Sequence, residues 1–360
     1  MIEGLAEGTA AVLKTVSGRI ADRTGRRVEQ MFGGYFLAAV AKPLIALAQS
    51  WPLVLVARLL DRTGKGFRTS PRDALLADSA EEAVRGAAFG WHRALDSAGA
   101  VVGPLLALAL LAAFHDNLRT IIALAVIPGL IGAFLVLAVS DPRRRRTKRA
   151  GGAEKQDKTA LGPSGERLRW SVLPLAFRLY LAAWLPFVLV NSSDVFLILR
   201  AKQLGFSTTA VVLVYVLYNF VYALWSLPFG RLSDRLGRRG VLIGGMLVFA
   251  AVYAGFSLAK ELWQVVALFA VYGLYMAATE GVGKAYAVDL VPVPLRATSV
   301  GLLGTLTGAA TLLASAVAGV LWDAVGPWSP FAMGAAGALL SALLFAALLR
   351  RPATGRPSSP

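Results

Sequence analysis

Seven charged residues crowd one face of a single apolar stretch. Between residues 51 and 77 the chain carries Arg58, Asp61, Arg62, Lys65, Arg68, Arg72 and Asp73. At 100° per residue all seven fall within an arc of about 140°, and the rest of the helix surface is Leu, Val, Ala and Phe. Guanidinium forks match carboxylate and phosphate oxygens, so the stripe can wall a water-filled cavity that takes an anionic solute. It can also be structural, its cations paired with acids on neighbouring helices, and Glu7, on one face with Lys14 in the first stretch, is such an acid. We assign Arg58, Asp61, Arg62 and Lys65 to a cavity, and Arg68, Arg72 and Asp73 to gate pairing or headgroup contact. Gly64 and Gly66 in the same stretch predict close helix approach or a bend.

Other polar groups stand inside apolar stretches. Glu280 and Lys284 lie one turn apart, an order that lines a cavity or simply supports a helix. Tyr218 and Asn219 are candidates for solute contact, with packing as the plainer reading. Proton-coupling candidates are Glu7, the pair His92 and Asp96 with Arg93 between them, and Asp194. With no cysteine and two histidines, disulfides, thiolate zinc sites and cysteine nucleophiles are excluded, and neither a metal nor a cofactor is expected. No nucleotide-binding motif is present, so ATP is not expected to drive this chain. It reads as a carrier and not as an enzyme.

The elements that position these groups are membrane helices. The chain has 360 residues, 56% hydrophobic, with a mean hydropathy of +0.62. The apolar residues come in blocks of about 20, enough to cross a ~30 Å hydrocarbon core. Eleven spans are expected, at 1–18, 28–49, 51–77, 86–112, 119–139, 174–200, 208–230, 240–259, 262–288, 297–321 and 330–350. The net charge of +16 sits mostly in alternate short loops, which marks that side as cytoplasmic. Nucleic acid is not expected as a partner. Residues 140–173 read as a basic cytoplasmic linker and 351–360 as a cytoplasmic tail.

A decapeptide occurs twice, GRIADRTGRR at 18–27 and GRLSDRLGRR at 230–239. The Asp78, Arg85, Gly90 spacing recurs as Asp289, Arg296, Gly301, at an offset of 211. Two parallel copies of one large unit are implied, a half-bundle over 1–139 and another over 174–350. On that ruler the span at 174–200 has no counterpart in the first half, so the chain is expected to lack its first transmembrane helix.

Both decapeptides resemble the loop signature of the major facilitator superfamily. The resemblance covers essentially the whole chain and implies an all-α membrane fold of two pseudo-symmetric half-bundles, its spans corresponding to helices 2–12 of twelve. It implies a cytoplasmic gate at Gly18, Asp22, Arg23, Gly25 and Arg26 and at Gly230, Asp234, Arg235, Gly237 and Arg238. Gly99, Gly103 and Pro104 resemble a helix-5 signature of proton-coupled exporters. The implied function is secondary transport by alternating access, as proton-coupled export (antiport) of small organic solutes. Alternatives are uptake or exchange of an organic anion or phosphate-like solute, and a non-transporting remnant. The expected partners are a small solute, protons and the lipid bilayer. A monomer in a bacterial inner (plasma) membrane is expected, with a cytoplasmic C-terminus.

Overall fold

The computed structural model describes residues 2–115, 117–142 and 170–349. Most of the expected linker and all of the expected tail lie outside the described residues. Thirteen α-helices are described: α1 (Ile2–Thr24), α2 (Arg27–Ala46), α3 (Trp51–Ser79), α4 (Arg85–Ala113), α5 (Leu118–Leu124), α6 (Val126–Val136), α7 (Leu175–Val190), α8 (Val195–Gln203), α9 (Thr208–Leu236), α10 (Arg238–Leu258), α11 (Leu262–Asp289), α12 (Arg296–Ala324) and α13 (Ser329–Leu348). Among the described residues there is no strand. Among the described residues, eight helical stretches are long and apolar enough to cross a membrane. The helices α1, α2 and α3 have comparable length but carry more charge and polarity.

Local chemistry sets the helix ends. Asn117 and Ser207 accept from the backbone N–H three residues on, and Glu261 with Gln264 forms a capping box before α11. The missing N–H of Pro128 leaves Leu124 without a helical donor, and the expected span at 119–139 divides there into α5 and α6. The span expected at 174–200 divides at residues 191–194. The Asn191-Ser192-Ser193-Asp194 run offers side-chain partners to the backbone: Val195 N donates to Ser193 Oγ at 3.3 Å, and Ser193 N to Ser315 Oγ at 3.0 Å. Both copies of the decapeptide are largely helix end instead of loop. The first continues α1 to Thr24 and the second continues α9 to Leu236, with the turns at Gly25 (φ 63°) and Gly237 (φ 94°), backbone that glycine adopts without strain.

Packing inside a bilayer has little hydrophobic driving force, so close approach and dispersion decide it. Gly64 and Gly66 show how α3 is held. A Cβ on Gly34 of α2 would lie 2.6 Å from the Gly64 carbonyl oxygen, and one on Gly66 would lie 2.7 Å from Leu13 Cβ of α1. The helix α3 is thus clasped between α1 and α2, and its charged stripe reaches both: Arg62 lies 3.1 Å from Glu7 of α1, and Arg68 lies 4.1 Å over the Tyr35 ring of α2. The last seven helices share an aromatic core. Phe187 meets Phe249 edge-on at 5.0 Å between centroids, and Phe249 stacks on Tyr253 at 3.9 Å. The first six helices meet the last seven chiefly through α1 on α12 and α4 on α9.

Candidate functional site

Two carboxylates clasp helix starts across those crossings. At the end of α1, Asp22 accepts from Thr298 N at 2.7 Å, Thr298 Oγ1 at 2.8 Å and Ala297 N at 3.3 Å. At the end of α9, Asp234 accepts from Ala87 N at 2.7 Å and Gly86 N at 2.8 Å. The first turns of α12 and α4 present orphan N–H groups and the positive end of the helix dipole, which an anion satisfies. Arginines extend each clasp. The fully buried Arg27 donates to Asp22 at 3.4 Å and to Asp78 at 2.5 Å, and Arg296 reaches the other oxygen of Asp78 at 2.5 Å. In the second clasp Arg238 bonds Asp234 and reaches Asp289 at 3.0 Å, and Arg85 bonds the other oxygen of Asp289. The two networks are pseudo-symmetric copies.

The glycines of the decapeptides permit these crossings. A Cβ on Gly18 would run into the Ala297 carbonyl oxygen, and one on Gly230 into that of Gly86. Of the other residues expected at a gate, Arg23, Arg26 and Arg235 are exposed. The first decapeptide aligns Arg26 with Arg238, yet Arg27 is the residue that does in the first clasp what Arg238 does in the second. The signal was present in the sequence: Asp78 to Asp289 and Arg85 to Arg296 keep an offset of 211, which also relates Arg27 to Arg238. Arg27, Thr298 and the roles of Asp78 and Asp289 went unassigned from sequence.

Directly behind the clasps lies a cavity of about 330 Å³. Lys14 stands one turn from Gly18, and Arg93 two turns from Arg85. Six cations line it: Lys14, Lys65, Arg68, Arg72, Arg93 and Lys284. Asp96 and Glu280 are its acids, and Trp184, Phe187, Val188, Tyr275, Val300 and Leu303 are among its apolar wall. Lys284 Nζ meets Asp73 at 2.8 Å, and Arg72 Nε meets the other oxygen of Asp73 at 3.1 Å, with Asp73 fully buried. Arg93 reaches Asp96 at 3.1 Å and Glu280 at 3.7 Å. Lys65 lies 3.6 Å from Glu7. Six cations therefore meet four carboxylates, an excess of two. Lys14 and Arg68 have no carboxylate in ion-pair range among the described residues, and Arg68 instead lies over the Tyr35 ring at 4.1 Å.

Lys65, Glu280 and Lys284, assigned to a cavity from sequence, line this one, and so do Arg68 and Arg72, assigned to gating. Arg58, Asp61 and Arg62 stand outside its lining. Arg62 lies 3.1 Å from Glu7 and 3.8 Å from Asp61. Asn219 donates to the Tyr215 carbonyl at 2.9 Å, and Tyr218 turns to Asp194 at 3.3 Å. Asp96 takes Arg93, not His92, as its partner. A Cβ on Gly99 or Gly103 would meet nothing within 4 Å, and Pro104 lies inside α4. Lys14 and Arg93 were not proposed as cavity residues from sequence, where Lys14 was read beside Glu7 and Arg93 between His92 and Asp96. Among the described residues no cluster of His, Cys, Asp or Glu is fit to hold a metal.

A family model described as Major Facilitator Superfamily matches residues 4–210 and 179–360. An uncharacterised MFS-type transporter of Methanocaldococcus jannaschii is 32% identical over 354 residues, 96% of this chain and 84% of the relative. An uncharacterised protein of Mycobacterium tuberculosis is 29% identical over 326 residues, 90% and 77% of the two chains. Among solved structures, the human organic anion transporter MFSD10 superposes with a TM-score of 0.74 at 18% identity, covering 96% of this chain and 82% of the other. The Escherichia coli transporter FucP in its outward conformation gives 0.74 at 14% identity, covering 96% and 88%. Identities this low speak for the fold alone.

Proposed function

Because the chain belongs to the major facilitator superfamily, we propose that this multi-pass membrane transporter carries a small organic anion by alternating access. The observation that carries the reading is the excess of two positive charges in the cavity, with Lys14 and Arg68 lacking an acid. Unpaired cations at membrane depth are costly, and a bound anion offsets them. The reading takes an organic anion in place of the wider class of organic solutes that the exporter-like run at Gly99–Pro104 suggests.

The two clasps act as a lock. The positive-inside bias puts the basic end of the molecule in the cytoplasm of a bacterial plasma membrane. With Asp22 and Asp234 engaged, that end is shut. Along α4, close contact with α9 at Gly86 and Gly90 gives way to positions with no neighbour within 4 Å at Gly99 and Gly103, which accords with a carrier open on the side away from the lock. Two ion pairs in the cavity, Asp73 with Lys284 and Glu280 with Arg93, also join the first six helices to the last seven. An entering anion competes with Glu280 for Arg93 and with Asp73 for Lys284. Loading thus loosens cross-connections that the inward-facing state must break, and couples occupancy to the rocking of two half-bundles.

The test is stabilisation of the purified full chain by phosphate, benzoate, sorbitol and tetraphenylphosphonium. The reading expects saturable stabilisation by at least one anion, lost in Lys14→Gln and in Arg68→Gln. Stabilisation by the neutral or cationic probe alone would overturn it.

A further inference from the structure

Asp194 stands apart from the cavity, in the break between α7 and α8 and toward the end of the molecule away from the lock. One carboxylate oxygen accepts from the Tyr272 hydroxyl at 2.7 Å and the other from the Tyr218 hydroxyl at 3.3 Å. No Lys, Arg or His pairs with it among the described residues. The groups facing it are phenols and hydroxyls: Tyr218, with Tyr215 beside it, on α9, Tyr253 on α10, and Tyr272 with Tyr275 on α11. On its own segment are Ser192 and Ser193, the latter bonded to Ser315 of α12. Arg200, six residues on, is committed to the carbonyls of Phe256 and Ala259 and to Gln203. Glu280, itself an acid, also acts on Asp194 and opposes its charge.

Acids inside a membrane span are paired, neutralised or functional, and this one has no countercharge. It also sits where a helix is broken, the place where a span offers backbone and carboxylate oxygens to a small ion. We infer that Asp194 binds a monovalent coupling cation, a proton or a sodium ion, at a site separate from the solute cavity. The phenols hold the carboxylate when the site is empty and yield when it fills. Its occupancy is felt in the cavity by a short route. Tyr272 lies one turn from Tyr275 on α11, and Tyr275 Oη accepts from the Asn191 amide at 3.1 Å. Tyr275 and Asn191 both line the cavity.

The inference needs the carrier reading only for what the site is used for. Binding itself is measured on the full chain in liposomes without solute. Infrared difference spectra follow the protonated-carboxyl band across pH, and radioactive sodium is titrated in parallel. A proton site gives a titrating band that Asp194→Asn removes, and a sodium site gives saturable sodium binding that Asp194→Asn removes. Tyr272→Phe keeps the ring and deletes the stronger donor, so the titration midpoint or the sodium affinity moves by about tenfold. Identical spectra and identical sodium binding in the wild type and both variants would overturn the site. A site that behaves as expected in a protein that moves no anion would leave it standing and sink the anion reading.

Discussion

Replacing Asp22 by Asn probes the lock with little change of shape. The carboxylate holds at least four donors: Thr298 N and Oγ1 on one oxygen, Ala297 N and an Arg27 N–H on the other. An amide keeps one oxygen and turns an N–H₂ toward donors at the other, so two donors lose their acceptor. It also removes the charge that complements the start of α12. Hydrogen bonds to a charged group contribute about 1.5–3 kcal/mol each, and a charge at a helix N-terminus about 0.3–1 kcal/mol. In the unlocked state the side chain is solvated and the substitution changes little. A loss of about 3–7 kcal/mol falls on the locked state alone, which moves the locked-to-unlocked ratio by more than about 100-fold. Asp234→Asn, with its backbone donors at Gly86 and Ala87, shifts it in the same direction. The sequence contains no cysteine, so Glu81→Cys and Arg231→Cys give one spin label on each side of the α4–α9 crossing. Pulsed dipolar spectroscopy in nanodiscs then reads their separation without solute. The wild type should give one short distance, and each Asn variant a longer population beside or in place of it. The exposed control Asp323→Asn should match the wild type. Distance distributions for Asp22→Asn and Asp234→Asn that superpose on the wild type would refute the lock.

Three further outcomes follow from the same geometry. Gly230→Val drives a side chain into the Gly86 carbonyl oxygen, so the same spin pair should show α9 pushed from α4 even with both aspartates present. Glu280→Gln removes a competitor for Arg93, and anion affinity measured by titration calorimetry should rise about three- to tenfold; an unchanged or weaker affinity counts against competition. Asp73→Asn leaves Lys284 and Arg72 beside a buried neutral group at a cost of about 3–5 kcal/mol, and thermal unfolding should show a large loss that Asp73→Asn with Lys284→Gln partly restores.

Helix positions were legible because a membrane demands long apolar runs, and Gly64 and Gly66 were legible as contact points because backbones approach closely only at small residues. The charged stripe on α3 was legible as costly, but its depth was not. Residues 58–62 and 65–72 differ by only a turn or two, and the clasp of α3 between α1 and α2 decides which of them reaches the cavity. The repeated decapeptide drew attention to its own alignment, which selects Arg26. The offset of 211 carried by Asp78, Arg85, Asp289 and Arg296 selects Arg27, the residue that bonds. His92 and Asp96 are one turn apart in sequence, yet Arg93 projects to Asp96, because side-chain direction as well as spacing decides a pair. Lys14 shared a helix face with Glu7 and Arg93 lay between His92 and Asp96, but neither pattern told whether the cation snorkels to headgroups, pairs or lines a cavity.

The central claim, that the cavity carries an organic anion, is tested most directly by exchange of radiolabelled benzoate and a panel of other carboxylates in proteoliposomes holding the full chain. At least one labelled anion should exchange faster than in empty liposomes. Its exchange should fall about tenfold or more in Lys14→Gln and in Arg68→Gln, and remain in Asp323→Asn. Exchange of a neutral or cationic solute with no exchange of any anion, or anion exchange untouched by both cavity substitutions, would contradict the account.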